Sequence, residues 1–280
     1  MLGVLYVVAT PLGNLEDITL RALRVLKEVD LIAAEDTRHT RKLLTHYGIT
    51  TLLTSYYDQI EASKAPTLIV QLQAGKTIAL VSDAGTPGIA DPGYRLVKGA
   101  AEAGIPVIPI PGPSTVAALL SVGGLPTDRF VFEGFLPAKP TQRRKALQNL
   151  KQEERTLIFF ESPHRLSDTL KDIEDAFGAR PMVIGRELTK MYEEVLRGFA
   201  SELHTQLQTR EIKGEVALLV GGAPKTVSND DQPPLTEEIH YLRKQGLSLK
   251  EIAQTLGERR GISKREVYAV GVQLSEQEKE

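Results

Sequence analysis

The chain has 280 residues, with 34 basic and 36 acidic side chains, a formal net charge of −2, and 41% apolar and 25% charged residues. This is a globular composition, long enough for two domains. Its charge balance excludes a uniformly basic nucleic-acid binder but not a local basic patch. With no cysteine, disulfides, thiolate metal sites and a cysteine nucleophile are excluded.

The first strand is expected over Val4–Thr10, and its apolar run lacks the charged lead and cleavage site of a signal peptide. Residues 17–29 follow as a helix, with Ile18, Ala22, Val25, Leu26 and Val29 on one stripe. Strands are expected at Leu31–Glu35, Leu52–Tyr56, Thr77–Ser82 and Val107–Pro111, with helices over 60–74 and 92–103 among them. This alternation predicts a mostly parallel sheet. A second set of strands is expected at Arg129–Phe135, Thr156–Glu161, Met182–Glu187, Glu194–Phe199 and Glu215–Val220, with helices over 141–151, 165–177 and 200–209. Gly123-Gly124-Leu125-Pro126 interrupts the pattern between the two sets. The expected division is an N-terminal α/β domain over 1–118, a second α/β domain over 119–224, a Pro-rich linker over 225–235 and a helix-turn-helix-like tail over 236–280. In the tail, Thr236, Ser248 and Ser263 are the expected helix caps and Gly246 the break between helices. No apolar run approaches the ~20 residues of a membrane span, so no membrane partner is expected.

Ligands of α/β proteins bind at the carboxyl ends of parallel strands. Four loops there are unusual: Thr10–Asp17, Ser82–Gly93 with its three glycines and two prolines, Pro111–Thr115, and Gly185–Lys190. Taken singly, each reads as ordinary turn chemistry. Three of them after three strands of one sheet favour a small-molecule pocket, and two α/β domains meeting at a hinge would form a cleft. None matches GxGxxG or GxxxxGK[ST], which disfavours a dinucleotide or P-loop site.

Leu5–Asp17, Ala34-Glu35-Asp36-Thr37-Arg38, Ser82–Gly93, Pro111-Gly112-Pro113-Ser114, Glu133–Pro137, Phe160–Arg165 and Arg186–Lys190 together resemble the ribosomal RNA small subunit methyltransferase I family, a branch of the tetrapyrrole-methylase superfamily. The resemblance runs in order from about residue 3 to residue 222. It implies two α/β domains with a cofactor cleft between them, S-adenosylmethionine as cofactor and a homodimer in the cytoplasm. The family reaction is 2′-O-methylation of a cytidine in the decoding region of 16S ribosomal RNA, within the 30S subunit. Carried over by motif, the cofactor would meet Pro11, Asp83, Gly85, Thr86, Pro87, Ile89, Ala90, Ser114 and Thr115 from the first domain. From the second it would meet Phe160, Glu161, Leu188, Thr189, Glu215, Val216 and Ala217. The tetrapyrrole enzymes carry Gly-Gly-Asp-Pro where this chain has Ser82-Asp83-Ala84-Gly85, which weighs against the same-fold alternative of a small tetrapyrrole-like acceptor. A ligand-sensing DNA-binding regulator, reading through the tail, is the alternative of a different class. The balanced charge of the tail weighs against it.

Methyl transfer to a hydroxyl needs alignment and a group to take the proton. Asp36 paired with Arg38, Glu133 and Glu187 stand at or near strand ends as catalytic candidates, Asp36 first among them. Each could equally be a salt bridge or a helix cap. For RNA phosphates the candidates are Arg38, Arg41 and Lys42, then Lys139, Arg143, Arg144 and Lys145 in an acid-free stretch, with Arg165 and Arg186 beside the cleft. The five histidines lack metal-ligand spacing, so no metal is expected.

Overall fold

Strands with unbroken apolar runs lie at the sheet centres in the computed structural model, which describes residues 2–224 and 233–277. The chain divides into two units, residues 1–223 and 224–280. The first unit holds two five-stranded sheets.

In the first sheet β1 (Leu5–Val8), β2 (Leu31–Ala34), β3 (Leu53–Ser55), β4 (Ile78–Val81) and β5 (Val107–Ile110) run parallel in the order β3-β2-β4-β1-β5. The fully buried Ile-Ala-Leu-Val of β4 takes the middle place, as a strand covered on both faces must. Alternate residues feed two cores. Val8, Ile32, Ala34, Ala79 and Val81 pack with α1 (Leu20–Glu28) and α2 (Thr37–His46). Leu5, Ala33, Ile78 and Leu80 pack with α3 (Asp58–Gln73) and α4 (Tyr94–Glu102). All the βα loops therefore open at one end of this sheet.

The second sheet is mixed. β6 (Phe130–Phe135), β7 (Thr156–Glu161), β8 (Pro181–Arg186), β9 (Glu194–Phe199) and β10 (Val216–Val220) take the order β6-β7-β10-β8-β9, with only β6 and β7 paired in parallel. The wholly apolar β10 is central. One face packs on α6 (Pro140–Asn149), α7 (Pro163–Phe177) and α8 (Ala200–Leu207). The other face receives α5 (Thr115–Gly123), whose Leu119 and Leu120 contact the layer of Ile158, Val183, Ala217 and Leu219. The boundary expected after residue 118 thus falls inside a helix. The Gly-Gly signal is where α5 stops, at Gly124, whose φ is 81°.

The second unit has its own small core of Ile239, Ile252, Ala253, Leu256 and Val267 under α9 (Leu235–Lys244), α10 (Leu249–Arg260) and α11 (Lys264–Gln277). Ser248 and Glu251 form a capping box, and Ser263 Oγ accepts from Glu266 N at 3.1 Å. The expected cap Thr236 is corrected: the cap is Pro234 and α9 begins at Leu235, two residues earlier than a cap at Thr236 implies, and the Pro234 ring sets a helix-compatible φ. Most of the expected linker, residues 225–232, lies outside the described residues. Among the described residues no helix is long and apolar enough to cross a membrane.

Candidate functional site

The loops at the carboxyl end of the first sheet are tied to one another by short hydrogen bonds. Thr10 and Gly85 exchange backbone bonds of 2.8 and 3.0 Å, and the Thr10 hydroxyl donates to Ser82 O at 3.0 Å. Asp36 N donates to Asp83 Oδ1 at 3.0 Å, and Asp83 N donates to Glu35 Oε2 at 3.2 Å. The Thr86 hydroxyl donates to Pro113 O at 3.2 Å, joining the second loop to the third. The Ser82–Gly93 loop then closes on itself. Gly93 has φ 152°, and a Cβ there would lie 3.2 Å from Gly88 N, so only glycine fits. Buried Glu61 accepts from Gly93 N and Arg95 N, both at 3.0 Å, and so holds the start of α4.

From the second sheet comes the strained segment Gly185–Lys190, with Glu187 at φ 50° and Thr189 at φ 66°. Glu187 accepts from Glu215 N at 3.0 Å and from Lys190 Nζ at 2.9 Å. The Lys190 stem crosses Gly13, where an added Cβ would stand 2.1 Å from Lys190 Cγ, and Asn14 N donates to Thr189 Oγ1 at 3.3 Å. Gly13 permits close approach, and what approaches it is the second half of the unit.

Between these loops lies a cavity of ≈ 380 Å³, a usual size for a small-molecule site. Its polar side is Glu35, Asp83, Asp91 and the backbone of Ala84–Thr86. Its apolar side is Leu12, Ile89, Val116, Phe135, Phe160 and Leu188. Ser114, Thr115, Glu161, Gly214, Glu215, Val216 and Ala217 add to the wall. Phe160 meets Phe132 and Phe135 edge-on at 5.0 and 5.6 Å, and Phe135 stays 56% exposed at the rim.

The structure brings together most of the expected cofactor residues and leaves out four. Pro11 and Pro87 are buried away from the cavity, Ala90 faces solvent at φ 65°, and the backbone of Thr189 turns it toward Glu193 and Asn14. None of the four expected catalytic residues lines the cavity. Asp36 caps α2 and is gripped by Arg38 through Nε and Nη2 at 3.2 and 2.8 Å. The Arg38 hydrogen bonds hold its carboxyl well below the usual range, which makes it a poor base. Glu133 points to solvent beside the bulge at Phe132/Gly134. Burial pushes the Glu187 carboxyl up, but the Glu215 N–H and Lys190 outweigh it and leave it lowered.

The basic candidates also separate. Arg143 is 3% exposed and donates to Asp172 Oδ2 at 2.7 Å, so it belongs to the interior and not to a phosphate footprint. The acid it needed came from α7, beyond the reach of local sequence. Arg144 shares Asp172 yet stays 64% exposed. Arg165 is committed to Glu161, Ser162 and Leu136 O, and Arg186 to Glu194, Tyr192 O and Lys213 O. Arg38, Arg41, Lys42, Lys139 and Lys145 are exposed. In the tail, Arg259 and Arg260 both pair with Glu238 of α9. Among the described residues no group of acids and histidines could hold a metal ion.

Glu35, Asp91, Phe135 and Gly214 were not among the expected site residues. Both acids stand inside motifs that the resemblance rests on, next to the residues chosen.

Residues 4–204 match the family model described as Tetrapyrrole (Corrin/Porphyrin) Methylases. The chain is 49% identical over 273 residues to the ribosomal RNA small subunit methyltransferase I of Halalkalibacterium halodurans, covering 96% of this chain and 94% of that one. It is 46% identical to the protein of the same name from Synechocystis, covering 98% and 99%. Among solved structures, uroporphyrin-III-C-methyltransferase from Thermus thermophilus superposes with a TM-score of 0.56 at 22% identity, over 78% of this chain and 94% of that one. The methyltransferase CobJ superposes with 0.60 at 18% identity, over 79% and 95%. At these identities the structural likeness speaks for the fold alone.

Proposed function

Because the chain belongs to the ribosomal RNA small subunit methyltransferase I family, within the tetrapyrrole methylases, we propose that it methylates small-subunit ribosomal RNA with S-adenosylmethionine. The acceptor in this reading is the ribose 2′-oxygen of a cytidine in the decoding region of 16S ribosomal RNA. The assembled 30S particle is the substrate and a cytoplasmic homodimer the working form.

The observation that carries the reading is the cavity built by both halves of a chain so similar to these relatives along nearly its whole length. The chemistry of its walls suits the cofactor. Phe160, Leu188, Val116 and Leu12 give an adenosine ring and an aliphatic chain apolar surface. The backbone of Ala84–Thr86 and the carboxylates of Glu35 and Asp83 offer partners for ribose hydroxyls and positive charge. When bound, S-adenosylmethionine supplies a methyl group on a sulfonium, already a good leaving group. The residues of this chain then have to align acceptor and donor, exclude water and move one proton. The loop bonds among Thr10, Gly85, Asp83, Asp36 and Thr86 fix the donor side before any substrate arrives. The exposed Phe135 at the rim offers a ring face on which an unstacked base can lie. Lys139 at the cap of α6, Arg144 and Lys145 on that helix, and Arg41 and Lys42 on α2 are exposed cations for the phosphate backbone.

Tritium transfer from labelled S-adenosylmethionine to 30S subunits lacking decoding-region methylation, with nuclease mapping, tests this directly. Label on one cytidine 2′-oxygen is the expected result. Tight cofactor binding with no label on 30S particles or 16S RNA would overturn the RNA acceptor and return the search to small molecules. Sedimentation of the pure protein as a monomer would remove the homodimer.

A further inference from the structure

A separate cavity, of ≈ 260 Å³, lies between α7 and α8. Its floor is apolar: Pro163, Leu166 and Leu170 from α7, Leu207 from α8 and Ile212 beyond it. Its rim is polar: Ser167, His204, Gln208 and Arg210. Two strips of chain stand between it and the cofactor cavity. Pro163 lines both cavities, and Ile212 lines this one while Gly214, two residues on, lines the other. The two are neighbours across a single wall.

The rim has spare bonding capacity of a defined kind. The amide nitrogen Gln208 Nε2 donates to His204 Nδ1 at 3.1 Å, so the ring proton lies on Nε2, which donates to Ser167 Oγ at 3.0 Å. After these bonds the Ser167 hydroxyl still has a proton to give, and Gln208 still has a carbonyl oxygen to receive one. The imidazole is held through its two nitrogens, in the plane of the ring, which leaves its faces for stacking. The charges beside the cavity cancel. Arg210 Nη2 donates to both Glu194 oxygens at 2.9 and 2.8 Å, and Lys213 pairs with Glu211 at 3.0 Å. An apolar floor, one donor, one acceptor and balanced charge do not select a phosphate. They suit a flat, neutral, partly apolar ring. The volume is below the roughly 300 Å³ at which sites for whole ligands begin, so the cavity takes one ring system.

We propose that this cavity binds an unpaired nucleobase of the RNA strand, beside the nucleotide that is methylated; the proposal rests on the reading of the chain as an RNA methyltransferase. Proteins read single-stranded RNA by splaying its bases onto aromatic side chains and bonding their edges. Every base edge sets a donor beside an acceptor, the complement of Gln208 and Ser167. With the target nucleoside at the cofactor cavity, a neighbouring base crosses Pro163 into this one. The strand is then held at two points, and the second fixes which nucleotide faces the methyl donor. The subsite bears on position along the RNA and not on the transfer itself.

The test is steady-state methyl transfer to 30S subunits by the wild-type chain, Ser167→Trp and His204→Ala, with nuclease mapping of the label and calorimetry of S-adenosylmethionine binding. Ser167 is exposed on α7, so an indole there covers the mouth of the cavity without entering the core. Ser167→Trp is expected to raise KM for 30S subunits by ~10-fold, as the loss of one stacked base would, with kcat and cofactor affinity within about twofold of wild type. His204→Ala should raise KM by less, and both variants should spread label onto adjacent nucleotides. The chain has no cysteine, so a diazirine on Lys171→Cys, an exposed position one helical turn from Ser167, probes the occupant directly. It is expected to cross-link to ribosomal RNA next to the methylated nucleotide.

Wild-type KM and a single labelled nucleotide in both variants would overturn the proposal. Cross-links to a ribosomal protein in place of RNA would do so too, because the occupant would then be a protein side chain. A loss of rate matched by an equal loss of cofactor affinity would also contradict it, since the substitutions would then act through the shared wall. A wild-type chain that binds cofactor but never labels RNA sinks the RNA reading and the subsite with it; an active wild type beside two unaffected variants sinks only the subsite.

Discussion

In the first half of the unit, Glu35, Asp83 and Asp91 reach the cavity with no basic partner among the described residues, whereas in the second half Glu161, Glu187 and Glu215 each meet Arg165 or Lys190. The difference follows from the two sheets. A parallel sheet delivers every βα loop to one end, so its loops can tie to each other through backbone amides, two of them held by the carboxylates of Glu35 and Asp83, with no basic side chain needed. The mixed sheet has no such end. Its single turn into the cavity, Gly185–Lys190, runs through left-handed Glu187 and Thr189, and ion pairs hold it there. Acids of one half are held by amides, and acids of the other by cations.

The largest effect that would sharpen this contrast is on stability. Asp172→Ala strands the buried Arg143 guanidinium, and breaking a buried pair costs ~3–5 kcal/mol. Urea unfolding is expected to show that loss, and Asp83→Ala in the first half is expected to lose far less. Burial raises the Asp172 carboxyl, but Arg144 and Arg143 outweigh it and leave it lowered. Its stability contribution is therefore present above the ordinary carboxylate range and is lost as pH falls through the lowered value. An equal penalty for both substitutions would erase the distinction.

Thr115→Tyr is next. A phenol at the start of α5 fills the cavity without touching either core, so cofactor affinity should fall by ~100-fold or more, about 3 kcal/mol, with the fold retained. Unchanged calorimetric affinity would remove the cavity from the account. A smaller effect, roughly tenfold on RNA methylation at physiological salt, is expected for Lys139→Glu with Lys145→Glu, along with a shallower salt dependence and unchanged cofactor affinity. Equal turnover would show that the α6 face is only solvated. Smallest is Glu187→Gln, at ~1 kcal/mol in thermal unfolding, because Gln keeps the Glu215 N–H bond and weakens only the Lys190 pair. A large loss of transfer with no loss of stability would instead return Glu187 to the chemistry.

Much of this was legible in the residues. Periodicity located every strand to within about two residues, because β4 and β10 are unbroken apolar runs and α1 shows a clean stripe. The Ser82–Gly93 loop announced itself through glycines that only special backbone angles require. Partners were what the sequence hid. Arg143 reads as part of a basic patch until α7 brings Asp172 against it, 29 residues away. Asp36 reads as a free acid until α2 is seen to start there and Arg38 folds back over it. The expected boundary after residue 118 cuts α5 for a similar reason: Leu119 and Leu120 look the same in a linker helix as in a core one, and only packing on the second sheet tells them apart.

The central claim is that both halves build one cofactor site, and hydrogen–deuterium exchange of the full chain with and without S-adenosylmethionine tests it most directly. The account predicts slowed exchange in residues 82–93 and 114–118 of the first half together with 185–190 and 214–217 of the second, and none on the solvent face of α6. Protection confined to one half, or lying elsewhere, would contradict it.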